Sequence, residues 1–185
     1  MKKIISVLCA LCLCMAASAQ QHMKFMGIPL DGSIDNFTLK LKAKGVTYDE
    51  AESNSADAGT RIFHGKFMGE KAKFVVFYNS KSKIVFCAAV ELNYPTVESA
   101  HTPFVNLNEQ LQQKYPDATC KEYTGPDGDV DGLAIEIFDE AGENMIGFIL
   151  QTLKAPSSGY GISIYLTYTD SDNFMKSEKI LGEDL

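Results

Sequence analysis

The apolar pattern of this chain changes twice in the same order, from helical spacing to strand alternation, and this order constrains the fold more than any other feature. The first helix is predicted over 33–44, with Ser33 as N-cap and Gly45 as C-terminal stop. The second runs from Thr96 to about Lys114, with an early interruption at Pro103. Four strand-like segments follow each helix. These predicted strands are 46–52, 61–67, 73–78 and 84–94, then 118–123, 132–139, 144–153 and 160–169.

Residues of the first helix recur seventy positions later in the second. The matching sets are Phe37, Leu41 and Lys44 against Leu107, Leu111 and Lys114. We therefore predict an α+β fold of two tandem helix-plus-four-strand antiparallel units, at 20–94 and 95–169, with a C-terminal tail at 170–185.

Strand alternation predicts which side of the sheet carries the helices. In 160–169 the large apolar residues Ile162, Ile164 and Leu166 point one way, and Ser163 and Tyr165 point the other way. One face is therefore expected to carry the helices and the other to meet water. The segment 84–94 is apolar on both faces, which predicts a strand in the middle of the sheet.

The N-terminus is typical of an export signal. Lys2 and Lys3 precede an apolar run over 4–16 that ends in Ala17-Ser18-Ala19. We expect cleavage after Ala19 and a periplasmic or secreted product. The run is too short to span a membrane, so no stable membrane insertion is expected after cleavage.

Charge argues against nucleic acid as a partner. Of 17 Lys and Arg residues, 15 remain once Lys2 and Lys3 are removed, against 24 Asp and Glu, a net charge of −9. A protein that binds phosphate backbones needs clustered basic residues, which this sequence lacks.

Two cysteines remain beyond the predicted signal, Cys87 and Cys120. An exported chain allows them to form a disulfide. The alternative is one buried thiol in a strand and one exposed thiol. Neither residue has a neighbouring base in the sequence, so neither is expected to be a nucleophile.

Several motifs resemble those of a known group of proteins. They lie at 25–33, Phe37, 41–45, 65–69 and 161–170. The chain is similar in them to a set of uncharacterised exported proteins of anaerobic gut bacteria, whose fold is like that of the β-lactamase inhibitor protein. The resemblance implies that the sheets of the two units join into one curved surface with the helices on one face. In the inhibitor, that surface grips a partner protein. No inhibitory residue can be matched position by position.

Enzyme motifs are absent from the sequence. The histidines His22, His64 and His101 are scattered, and there is no zinc-binding His-Glu-x-x-His helix and no Gly-x-Ser-x-Gly nucleophile turn. His64 falls in a predicted strand and is interpreted as a surface side chain. We expect no catalytic residues.

One acidic segment has the beginning of a calcium-binding loop. Asp127, Asp129 and Asp131 alternate, and Gly132 stands at the sixth position, but Phe138 occupies the twelfth, where a bidentate glutamate normally closes the site. The segment is either a solvated loop between two strands or a weak calcium site. No other cofactor is expected.

These observations favour an exported, non-enzymatic binding module that holds a protein or glycan partner on the outer sheet face. By alternation the outward candidates for partner binding are Tyr165, Phe138, His64 and Ile62. The alternative is a calcium-stabilised extracytoplasmic structural domain. An exposed apolar patch on the sheet would favour the first function, and converging aspartates would favour the second. A deep pocket lined by histidine and carboxylate would instead indicate an enzyme.

Overall fold

The computed structural model describes residues 22–116, 119–124, 130–138, 144–155 and 159–182, and the side chains of 22–96, 98–116 and 162–179. The predicted signal at 1–19 lies outside these residues. The elements in chain order are β1 Lys24–Phe25, β2 Ile28–Pro29, α1 Ile34–Ala43, β3 Thr47–Asp49, α2 Glu50–Ser55, β4 Thr60–Phe67, β5 Glu70–Tyr78, β6 Val85–Tyr94, α3 Val97–Lys114, β7 Thr119–Thr124, β8 Val130–Phe138, β9 Asn144–Ala155, β10 Gly159–Asp170 and α4 Ser171–Gly182.

Eight strands form one antiparallel sheet in the order β3-β4-β5-β6-β10-β9-β8-β7, and β1 and β2 form a separate hairpin. The predicted α+β class with an antiparallel sheet is confirmed. The strands β6 and β10 pair at the centre, where Val90 lies opposite Leu166. The prediction that 84–94 is a central strand is therefore also confirmed, since β6 lies between β5 and β10.

Two helices begin at the residues predicted to open them. The Ser33 side chain accepts a hydrogen bond from the backbone of Asn36, and Gly45 takes a φ of 82°, which glycine adopts without strain. In α3, Thr96 and Ser99 form a reciprocal capping box. The predicted interruption at Pro103 is wrong, because α3 continues through it. The buried side chains of Leu107 and Leu111 hold the helix on the core.

Three elements differ from the sequence-based prediction. The strand expected over 46–52 ends at Asp49, whose side chain caps the short helix α2 by accepting a hydrogen bond from Glu52 N. Most of the tail expected at 170–185 is the helix α4. The β1–β2 hairpin was not predicted. The capping hydrogen bond of Asp49 therefore starts a helix, although the composition of the segment after Val46 is typical of a strand.

The core lies between the sheet and the helices α1 and α3. Its fully buried large side chains are Phe25, Leu30, Ile34, Phe37, Leu41, Phe63, Phe74, Ile164 and Leu166. Phe74 meets Phe25 edge to face, with ring centroids 6.2 Å apart. We call the side of the sheet that carries Phe63 and Phe74 the helix face, and the opposite side the outer face. In the described part of the chain, no helix is both long and apolar enough to cross a membrane.

Candidate functional site

A row of polar side chains crosses the outer face. Strand register aligns His64 on β4 with Lys73 on β5, Lys73 with Glu91 on β6, and Glu91 with Tyr165 on β10. Because all four residues alternate with core residues such as Phe63 and Phe74, their side chains share the outer face. We call these four residues the outer row.

An open groove lies along the outer row. Its volume is about 550 Å³, and its lining includes Thr47, His64, Lys73, Glu91 and Asn93. We call it the outer groove. Because it is open to solvent and lined by both polar groups and the aliphatic stems of lysines, it suits an extended surface of a partner more than an enclosed small molecule.

Two residues of the outer row, His64 and Lys73, contact the side chain of Glu52 on helix α2. Glu52 Oε2 lies 2.7 Å from Lys73 Nζ, and Glu52 Oε1 lies 3.1 Å from His64 Nε2. The hydrogen bond with Lys73 lowers the pKa of Glu52, and the same bond raises the pKa of Lys73. Both groups are therefore charged at neutral pH, and they hold α2 against the edge of the outer face.

Tyr165 lies at the far end of the outer row. Burial raises the pKa of its phenol, and the carboxylate of Glu91 raises it further, so the ring is neutral at physiological pH. Asn93 Nδ2 donates to Glu91 Oε1 at 2.8 Å, and Ser163 Oγ donates to Asn93 Oδ1. A partly exposed aromatic ring beside polar side chains that are held by hydrogen bonds is typical of residues that anchor protein interfaces.

The four residues predicted to bind a partner differ in position and exposure. Tyr165 and His64 lie in the outer row, as alternation predicts. Ile62 is on the same face but is only 7% exposed, so its expected role as an exposed anchor is wrong. The physical reason is α2, which packs against β4, where Ser53 Oγ accepts a hydrogen bond from Ile62 N. Phe138 ends β8, and its side chain is not among those described.

Sequence reasoning missed Asp49, Glu52, Lys73 and Glu91. Asp49 and Glu52 have the spacing of an N-cap and the third residue of a helix, which is a recognisable signal. Lys73 and Glu91 carry no local signal. Their position beside His64 depends on strand register, which sequence alone leaves open.

The calcium hypothesis stays a prediction. Asp127 and Asp129 lie outside the described residues, and only the backbone of Asp131 is described, at the start of β8. Of the other histidines, His22 Nδ1 lies 2.8 Å from Asp170 Oδ2, and His101 is exposed on α3.

Cys87 is a free cysteine with a buried side chain, hydrogen-bonded by Thr169 Oγ1. Cys120 lies on β7, and the strands β10, β9 and β8 separate β7 from β6. That is about 19 Å along the sheet, whereas a disulfide needs Cα atoms within about 7 Å. The structure therefore has Cys87 as a buried thiol.

We predict that native Cys87 resists alkylation. Burial raises the pKa of its thiol to about 11, so at pH 8 about one molecule in a thousand carries the thiolate that reacts. Iodoacetamide labelling followed by peptide mass spectrometry measures this, with the guanidinium-unfolded chain as control. Equal labelling rates in the native and unfolded chains would contradict the burial of Cys87.

Comparison with protein-family models, with curated proteins and with solved structures finds no match to this chain.

Proposed function

We propose that this chain is an exported, non-enzymatic binding module that holds a partner protein across the outer groove. The observation that carries the proposal is the groove itself, an open depression of about 550 Å³ with polar and apolar lining, on the sheet face opposite the core helices α1 and α3. Export is proposed from the N-terminal signal pattern.

The order of elements along the chain supports the prediction of two tandem helix-plus-four-strand units. One half is α1 followed by β3 to β6, with the short helix α2 after β3, and the other is α3 followed by β7 to β10. The strand order of the second half mirrors that of the first about the β6–β10 pair. We propose that the halves are a tandem repeat whose sheets join into one curved surface. Such a surface would present the outer row near its middle.

The chemistry of the groove favours a protein partner. Its lining carries both signs of charge, because Lys71 and Lys73 lie beside Glu91 and Lys73 is also paired with Glu52. It therefore lacks the single-sign potential that attracts phosphate or nucleic acid. One row further along the strands, Val75 is partly exposed on the same face, whereas Ala89 opposite it is buried. A partly exposed apolar side chain beside a row of polar ones fits a protein interface.

Catalysis has less support from the same residues. The His64 side chain is 45% exposed, and the groove it lines is open. A general acid or base works best where water is excluded and its pKa is tuned by burial. These residues are better placed to contact a partner than to transfer a proton.

The proposal predicts that outer-row variants lose the partner and helix-face variants keep it. Tyr165→Ala and Lys73→Ala should each weaken the complex by at least about tenfold, as truncation of a central anchor does. The matched control is Leu39→Ala, since Leu39 is 67% exposed on α1, on the opposite side of the sheet.

The measurement starts with capture of proteins from an envelope extract of the native organism on the immobilised wild-type chain. Affinities of the captured protein for the variants are then compared by surface plasmon resonance. A partner that binds Tyr165→Ala and Lys73→Ala as tightly as wild type, or that is lost in Leu39→Ala, would contradict the proposed surface.

A further inference from the structure

Three potential metal ligands converge at the end of the outer row. Asp49, Glu52 and His64 each offer one ligand atom, and these atoms all lie within 4.8 Å of one another. Asp49 ends β3 and caps α2, Glu52 lies in the first turn of α2, and His64 lies on β4 opposite Thr47. The β3–α2–β4 segment thus brings together residues from three different elements.

Two of the three distances between ligand atoms are close to those around a tetrahedral ion. His64 Nε2 lies 3.1 Å from Glu52 Oε1 and 3.5 Å from Asp49 Oδ2. In tetrahedral zinc, with bonds of about 2.0–2.2 Å, neighbouring ligand atoms are about 3.3–3.6 Å apart. The Asp49 and Glu52 oxygens lie within 4.8 Å of each other, so side-chain rotations would bring all three atoms around one ion.

The remaining carboxylate oxygens are already held by other donors. Asp49 Oδ1 accepts from Glu52 N at 2.8 Å, and Glu52 Oε2 accepts from Lys73 Nζ at 2.7 Å. Each carboxylate is thus oriented through one oxygen and offers the other to the ion. Such outer contacts are what fix the ligands in established metal sites.

We propose that Asp49, Glu52 and His64 form a binding site for Zn²⁺. Calcium would require six to eight oxygen ligands, whereas one imidazole and two carboxylate oxygens suit zinc. Three protein ligands leave one position of the ion for water or for a group on a partner. The site does not depend on the proposed binding function, because zinc binding needs no partner.

The alternative for the same residues is a network of ion pairs, in which a protonated His64 contacts both carboxylates. Zinc titration distinguishes the two, because an ion-pair network binds no metal. The titration should use the full chain with Cys9, Cys12, Cys14 and Cys120 replaced by serine, since thiolates also bind zinc.

Isothermal titration calorimetry with ZnCl₂ should give one zinc ion per chain. His64→Ala should raise the dissociation constant by more than about tenfold, because even the loss of an outer contact costs about 10- to 100-fold in affinity. Glu52→Gln, which keeps the shape of the side chain, should also weaken binding. His101→Ala removes an exposed histidine on α3 and should leave binding unchanged.

Zinc should also raise the melting temperature of the parent chain and of His101→Ala, but not that of His64→Ala. A circular dichroism spectrum shows that each variant is folded. Absence of zinc binding to the parent chain would overturn the site. Equal binding by His64→Ala, or its loss in His101→Ala, would overturn it as well.

Discussion

Phe74→Ala is expected to lower the free energy of unfolding by about 3–5 kcal/mol, the cost of removing a fully buried phenylalanine and leaving a cavity. Phe74 is 0% exposed, lies on β5 between Phe63 and Val90 in the strand register, and meets the Phe25 ring edge to face. The variant should therefore weaken both the sheet core and the contact of the β1–β2 hairpin with it.

Guanidinium denaturation followed by circular dichroism measures the loss. The matched control is Val75→Ala on the adjacent residue of β5, which faces the outer side and is partly exposed. Val75→Ala should lower the free energy of unfolding by clearly less than Phe74→Ala, because fewer buried atoms are removed. Equal losses for the two variants would contradict the assignment of the helix face and the outer face.

Asp170→Ala is expected to lower the free energy of unfolding by about 2–4 kcal/mol. The side chain of Asp170 is 1% exposed, and its carboxylate accepts from Met23 N at 3.1 Å and from Asn173 N at 3.0 Å, with His22 Nδ1 2.8 Å away. Loss of an N-cap costs about 0.5–2 kcal/mol, and leaving buried donors without an acceptor costs about 1–3 kcal/mol more.

The same denaturation experiment, run on Asp170→Ala and on His22→Ala, separates the contributions. His22→Ala removes one partly exposed contact and keeps the cap of α4, so its loss should be smaller. If both variants were equally stable, Asp170 would not be the residue that ties the N-terminal segment to α4.

The sequence predicted elements whose signals are local. Helices α1 and α3 were identifiable because Ser33 and Thr96 are N-caps followed by apolar residues at helical spacing. Helix α4 was missed although Asp170 is a good cap, because the chain was expected to end in a tail after β10. Helix α2 is too short for its periodicity to be visible.

The candidate site was predictable only in part. Alternation gives the face of the sheet on which a side chain lies, but not whether another element packs over that side chain. It places His64 and Tyr165 correctly on the outer face. It also places Ile62 there, but α2 folds back against β4 and buries it. The contacts of Glu52 with His64 and Lys73 require both this turn and the register of β4 with β5.

The central claim is that the outer groove, and not the helix side, meets the partner. The most direct test places the photocrosslinking residue p-benzoylphenylalanine at Lys71, an exposed position in the groove lining, or at Leu39 on α1, in chains expressed in the native organism. We predict a crosslink to one specific protein from position 71 and none from position 39. A crosslink to a specific protein from position 39, with none from position 71, would contradict the account.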